Sequence, residues 1–217
     1  MNLKNNMLDN LLRYNKKQKY CCFDYETEGL NLYYSRPFQL SFVVGEGPNI
    51  IEEQDHYIDV PDLKMSDEAA KVTRFSWDKY NRLKKDKAFV LDSFEKYLYD
   101  PEYLVVGHNI LRFDVFIHNT HRRICGKKTD YSYLDNLIDT NCLAKAIKCD
   151  IPRQKDESTI QWMFRLASFR KRGVKTNLKA LLKEYDIEFD EKMLHNSKYD
   201  TFKNFELFSR LIWQIEI

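Results

Sequence analysis

Five side chains in three short, widely separated blocks have the types and spacing to hold hard divalent cations and to move a proton. Asp24 and Glu26 stand two apart in Phe23-Asp24-Tyr25-Glu26-Thr27-Glu28-Gly29-Leu30. Side chains of a strand alternate between faces, so both carboxylates emerge on the side begun by Tyr20 and Cys22. Like charges that close repel, and an oxygen-seeking cation such as Mg²⁺ or Mn²⁺ relieves the repulsion while keeping waters that can be activated. Alone, the pair would equally suit a strand end with two solvated acids. Asp114 closes the block Gly107-His108-Asn109-Ile110-Leu111-Arg112-Phe113-Asp114. It falls in the first turn of a helix that starts near Phe113, with Phe113, Phe116 and Ile117 as apolar positions, where the helix N-terminus favours a carboxylate. An acid that merely complements the helix dipole would sit there too. His195 and Asp200, in His195-Asn196-Ser197-Lys198-Tyr199-Asp200, lie about 140° apart around a helix and could not converge if both were helical. His195 therefore belongs to the preceding loop, Asn196 or Ser197 caps the helix, and Asp200 lies in its opening turns. There Asp200 aligns with Leu207 and Leu211, at the edge of a face completed by Phe205, Phe208, Ile212 and Ile215, where an isolated charge is costly. A cation shared with Asp24 and Glu26 would compensate it, as would Lys198 or Lys203.

In this order the blocks resemble the three motifs of the DEDDh (DnaQ-like) 3′-to-5′ exonucleases, of the RNase H-like superfamily. Asn at position 196, where the tyrosine subclass would have its tyrosine, leaves His195 to place the match in the histidine subclass. The resemblance implies hydrolysis of phosphodiester bonds from a free 3′ end with two Mg²⁺ or Mn²⁺ ions about 4 Å apart. Asp24 would bridge both ions, Glu26 and Asp200 would complete the site for the attacking water, and Asp114 would serve the second ion through waters. An imidazole ordinarily titrates near neutrality, so His195 on its loop suits the general base. Thr27 and Leu30 would grip the terminal nucleotide and wedge beside its base, with His108, Asn109 and Phe113 on the substrate side of the second block. Glu28 departs from the usual Thr or Ser, and a charge there weakens phosphate binding unless it points to solvent. The spacing from Asn109 to Phe113 is closer to that of DNA-acting relatives, which favours single-stranded DNA. RNA trimming by an exoribonuclease is the alternative, and a polymerase-accessory module without catalysis is a third reading, opposed by the complete set of acids.

The elements that must position these residues read as an α/β, RNase H-like fold with a central mixed five-stranded sheet flanked by helices. A polar helical leader over residues 1–19 precedes strands at 20–25, 37–44 and 50–60, with a turn at 45–49 between the last two. A helix over 88–99, a buried strand at 103–107, the Asp114 helix, and a stretch at 137–140 leading into a helix that ends near Lys148 follow. Asp139-Thr140 recurs after the second motif in the family, and a strand end with a helix cap would account for it as well. The resemblance is less recognisable over segments 61–87 and 125–175. At 217 residues and 43% hydrophobic content the chain suits one domain with a full core. No apolar run approaches the ~20 residues of a membrane span, and the start has no signal peptide. The five cysteines, an odd number, read as reduced cytoplasmic thiols. Low Gly and Pro with many Lys, Asn, Tyr and Phe hints at an AT-rich, bacterial or phage source.

Net charge is only +2, so nucleic acid must be held by local clustering. Arg165, Arg170, Arg172 and Lys175, continued by Lys179 and Lys183 and interleaved with Trp162, Phe164 and Phe169, could track phosphates and stack bases. They could equally form a solvated face over core aromatics. His118 and His121 read as structural, and Arg36 and Gln39 as residues that order the first strands. Partners beyond nucleic acid, whether a DNA polymerase in proofreading or repair or a second copy in a homodimer, are not specified. The absence of a long tail after Ile217 favours a standalone enzyme.

Overall fold

A computed structural model describes residues 17–215. The leader expected over residues 1–19 lies outside the described residues except at its end, where Lys19 already opens a strand. That strand, β1 (Lys19–Thr27), runs through the middle of the sheet, antiparallel to β2 (Pro37–Glu46) on one side and parallel to β5 (Tyr103–Gly107) on the other. β2 returns as β3 (Asn49–Asp59) through a tight turn in which Gly47 takes a left-handed φ of 55°. With β4 (Lys84–Asp86) and β6 (Leu137–Asp139) the order is β4-β3-β2-β1-β5-β6.

The sheet therefore has six strands rather than the expected five. The additional one, β4, is Lys-Lys-Asp, exposed throughout, so it has no apolar alternation to announce it. Parallel backbone pairing from Tyr57↔Lys84 to Asp59↔Asp86 makes it a strand, and its lysines suit an open sheet edge.

Helices cover both faces. Phe23 and Tyr25 of β1 point toward α3 (Lys87–Leu98), where Phe94 lies 5.0 Å from Phe23 and 5.4 Å from Phe42 between ring centres. α4 (Asp114–Ile124) packs on the same side, its His118 ring 5.6 Å from that of Phe94. On the opposite face Tyr20 meets Phe208 of α8 (Ser197–Leu211) at 5.1 Å, and the Cys22 thiol donates to the Thr201 carbonyl. Asp24 and Glu26 continue that second face at the C-terminal end of β1. α5 (Thr140–Cys149) is the helix expected to end near Lys148, and the less recognisable stretches also form α1 (Asp67–Thr73), α2 (Trp77–Leu83) and α6 (Thr159–Ser168), followed by α7 (Leu178–Glu184). Ser66, Ser76 and Ser158 cap α1, α2 and α6, so the short polar signals were present without a long apolar period beside them.

One expected core position is corrected. Phe116 is 39% exposed, and α4 instead buries Val115, Ile117, His118 and His121. The buried face is filled by two histidines that an apolar pattern does not count, His118 against Phe94 and His121 against Tyr25, and Phe116 lies off that face. All five cysteines are free thiols. No helix among the described residues is long and apolar enough to cross a membrane.

Candidate active site

Three elements bring the motif acids to one end of the sheet. Asp24, Asp114, His195 and Asp200 line a cleft of about 630 Å³, and Glu26 lines an adjoining cavity of about 460 Å³. The two spaces share Leu30, Phe113 and His195, which stand on the divide between them. β1 is tied to both other elements by backbone groups beside the acids. The Tyr25 N–H donates to Asp114 Oδ1 at 2.9 Å, and the Ser197 hydroxyl donates to the Asp24 carbonyl at 2.7 Å. At the start of α8 the Asn196 side chain caps the Tyr199 N–H, while His195, in a left-handed conformation with φ 65°, donates its N–H to Asp200 Oδ2 at 3.0 Å. His195 is itself exposed.

The acids oppose one another's ionisation. Burial, and then the charges of Asp114, Glu26 and Asp200, push Asp24 well above the usual carboxylate range. Burial, Asp200 and Asp114 do the same to Glu26. Burial raises Asp114 to about 7 although two N–H groups pull it back, and raises Asp200 to about 6 against the His195 N–H. Asp200 Oδ1 is buried with no hydrogen-bond partner. The lysines that could have neutralised Asp200 are engaged elsewhere, Lys198 with Glu53 and Lys203 with Glu206.

This donor set fits hard cations: four carboxylates that need positive charge, one of which has a buried oxygen without a hydrogen-bond partner. Among the described residues no three His, Cys, Asp or Glu side chains are already closed into a ligand cage. Bound ions would therefore take several ligands from water and from substrate phosphate, which is how Mg²⁺ is commonly held.

The second block is organised by Asp139, whose place at a strand end and helix cap was legible in the sequence but whose hold on the loop before Asp114 was not. Asp139, at the end of β6, accepts the N–H groups of Asn109 at 2.8 Å, Leu111 at 3.2 Å and Asn141 at 2.9 Å. It thus caps α5 and folds the loop before Asp114 with one carboxylate. Asn109 is left-handed at φ 60°, and a side chain on Gly107 would collide with Ile110, so the loop closes only around glycine there. His108 shares a 2.9 Å hydrogen bond with Thr140 and is pushed down to about 4 by burial. Beneath the acids, the Tyr25 hydroxyl bridges His121 at 3.2 Å and His118 at 3.3 Å.

Glu28 points neither to solvent nor to the cleft. It is buried against Arg36, with Nε to Oε1 at 2.8 Å, and accepts the Lys64 N–H at 2.6 Å. Its charge is absorbed by the turn after β1, and Arg36 has a definite partner. Thr27 is buried, its hydroxyl donating to the Gly29 carbonyl, and Leu30 is 87% exposed at the cleft rim. The basic stretch divides. Arg165 is held by Glu157 at 2.6 Å, Lys179 and Lys183 both pair with Glu191, and Trp162 is core. Arg170, Arg172 and Lys175 are exposed, and Arg170 lines a small cavity beside the cleft. Arg112, Asn141 and Asn177 also line the cleft. Sequence reasoning missed these three because none belongs to a spaced pair of acids or bases.

The mixed sheet with helices on both faces is an RNase H-like fold, and a cluster of acids at the end of its central strand is the arrangement of a nuclease. Residues 21–208 match the RNase T exonuclease family, and the chain belongs to that family. It is 32% identical over 105 residues to DNA polymerase III PolC-type of Pediococcus pentosaceus, a stretch covering 48% of this chain and 7% of that one. Its structure is similar to E. coli exonuclease I in complex with a dT13 oligonucleotide, with a TM-score of 0.72 at 17% identity, covering 91% of this chain and 41% of the other. The complex of exonuclease I with dA16 gives 0.71 at 17%, covering 90% and 42%. The chain spans less than half the length of each of these proteins.

Proposed function

We propose that this chain is a 3′-to-5′ exonuclease that removes nucleoside monophosphates from free 3′ ends of single-stranded DNA. The observation that carries the reading is the meeting of Asp24 of β1, Asp114 of α4 and Asp200 of α8 around one cleft, with Glu26 of β1 in the adjoining cavity and exposed His195 on the divide. When bound, two Mg²⁺ or Mn²⁺ ions would polarise the scissile phosphate, acidify the attacking water and stabilise the leaving oxygen. Asp24 suits the bridging position because its charge is felt together with those of all three other acids. Glu26 and Asp200 would hold the ion beside the attacking water, and Asp114 the other. His195 would take the proton from that water, its backbone anchored to Asp200 Oδ2 and its ring free on the loop. Leu30, exposed on the divide with Phe113 and near Thr27, suits a wedge beside the terminal base.

DNA is favoured because the exonuclease I structures are complexes with dT13 and dA16. The polymerase relative supports a role in proofreading or repair, and the free thiols suit a bacterial or phage-infected cytoplasm.

The test is a 5′-labelled single strand, a duplex and an RNA, each incubated with Mg²⁺ or Mn²⁺ and resolved by length. The single strand should give a ladder descending from the 3′ end, and the duplex should lag because fraying costs a few kcal/mol. A 3′-phosphorylated strand and a closed circle should resist. Cutting of the circle would make the protein an endonuclease, and a ladder from RNA alone would make it an exoribonuclease.

A further inference from the structure

A smaller cavity of about 190 Å³ opens beside the catalytic cleft and shares Asn109 and Asn141 with it. Lys145 of α5, nine-tenths buried, contributes to its wall, with Arg170 and Lys171. A lysine so buried ordinarily pairs with a carboxylate. Lys145 instead donates to the carbonyls of Leu166 at 3.1 Å and Ala167 at 3.4 Å. Arg170 donates to the same Ala167 carbonyl and to that of Phe169, both at 2.8 Å. These carbonyls end α6, where the partial negative charge of a helix terminus fixes cations in place without a full neutralising charge. No carboxylate among the described residues forms an ion pair with Lys145, Arg170 or Arg112. The acid that acts on Lys145 from nearby, Asp139, is already committed to backbone N–H groups. Burial is the main force that lowers the pKa of Lys145, with the like charges of Arg170 and Arg112 adding to it and Cys142 and Asp139 opposing it. Arg112 lies in the catalytic cleft itself, so positive charge continues from the cleft into the small cavity.

We infer that this cavity is a second phosphate subsite, which receives an internucleotide phosphate of the substrate strand on the 5′ side of the scissile one. At about 30 Å³ per water, the space of about 190 Å³ has room for a phosphate group and a few waters. Lys145 retains a third N–H and Arg170 its remaining guanidinium donors to bind the anion. The subsite gives the enzyme a hold on the strand that survives release of each terminal nucleotide. This inference rests on the exonuclease reading above.

The test replaces one internucleotide phosphate at a time, near the 3′ end of a labelled DNA strand, with an uncharged methylphosphonate. Binding is measured by fluorescence anisotropy in EDTA, and cleavage separately with Mn²⁺. In the wild type, one position upstream of the scissile linkage should weaken binding about tenfold. In Arg170→Gln and in Lys145→Met, each checked by thermal melting, that position-specific penalty should vanish while the others persist. The salt dependence of binding should also flatten by roughly 0.7 in log–log slope per lost contact. A variant profile parallel to that of the wild type, uniformly weaker or unchanged, would overturn the subsite. Failure of the wild type to cleave any strand would instead overturn the exonuclease reading, and the subsite with it.

Discussion

One oxygen of Asp200 accepts the His195 N–H while the other is buried without a partner among three further acids. Asp24→Ala or Asp200→Asn should therefore abolish Mg²⁺- or Mn²⁺-dependent cleavage, since each removes a ligand whose charge the cations require. Melting in EDTA should show Asp200→Asn as the more stable protein, by roughly 2–4 °C for each kcal/mol of relieved repulsion. Cleavage that persists in either variant would sink the two-ion mechanism. His195 has its backbone tied and its ring exposed, so His195→Ala should lower single-turnover rates by roughly 10²- to 10⁴-fold with metal and DNA binding nearly intact. The rising limb of the wild-type pH–rate profile should be lost with it, and an unchanged profile would reduce His195 to a loop residue. Glu28 makes a contrasting case. Restoring the family's threonine with Glu28→Thr should not improve DNA binding, because the carboxylate is turned into the Arg36 pair. It should cost about 1–3 kcal/mol in urea unfolding, and Arg36→Met should cost more by leaving the acid uncompensated.

At the scale of elements, the acids depend on how the ends of β1, β5 and β6 meet the starts of α4 and α8. Asp139 is the joint between β6, α5 and the loop that delivers Asp114. Asp139→Ala leaves three N–H groups without their acceptor. It should destabilise the protein by about 1–3 kcal/mol and lower kcat more than it raises KM, because the loop that delivers Asp114 loosens while the strand contacts remain. A loss of stability with kcat unchanged would show that the loop holds Asp114 without it. The Tyr25 hydroxyl between His118 and His121 serves the same end from below, fixing the segment of β1 whose N–H holds Asp114.

For the whole molecule, the clustered acids set how stability depends on pH when no divalent ion is supplied. Asp114 and Asp200 keep their protons up to about 7 and about 6, above an unfolded carboxylate near 4, and Asp24 and Glu26 move the same way. Between those values the folded chain binds more protons than the unfolded chain, so this contribution falls as pH rises. The buried histidines act oppositely below the ordinary histidine range, since burial pushes His108 and His121 down to about 4 and pushes His118 down as well. The carboxylates should therefore dominate from about pH 6.5 upward. The melting temperature in EDTA should fall between pH 6.5 and 8, and Mn²⁺ should remove the fall. A flat profile in EDTA would mean that the acids do not share one electrostatic site.

The sequence by itself determined what depends on neighbours along the chain. Alternation fixed the shared face of Asp24 and Glu26, helical geometry placed His195 in a loop, and a cap at Asn196 or Ser197, which the structure assigns to Asn196, set Asp200 in the first turn of α8. Tertiary structure decided what depends on residues far apart in number. β4 became a strand only through pairing with β3, Glu28 found Arg36 across the turn after β1, and Asp139 reached back 30 residues to Asn109. Phe116 turned outward because His118 and His121 fill the buried face of α4, and Arg165 left the basic stretch for Glu157. Lys145 gained its uncompensated charge from the end of a separate helix. Local pattern reports backbone period and caps, whereas the partner of a charge is set by three-dimensional proximity, which no period in the chain encodes.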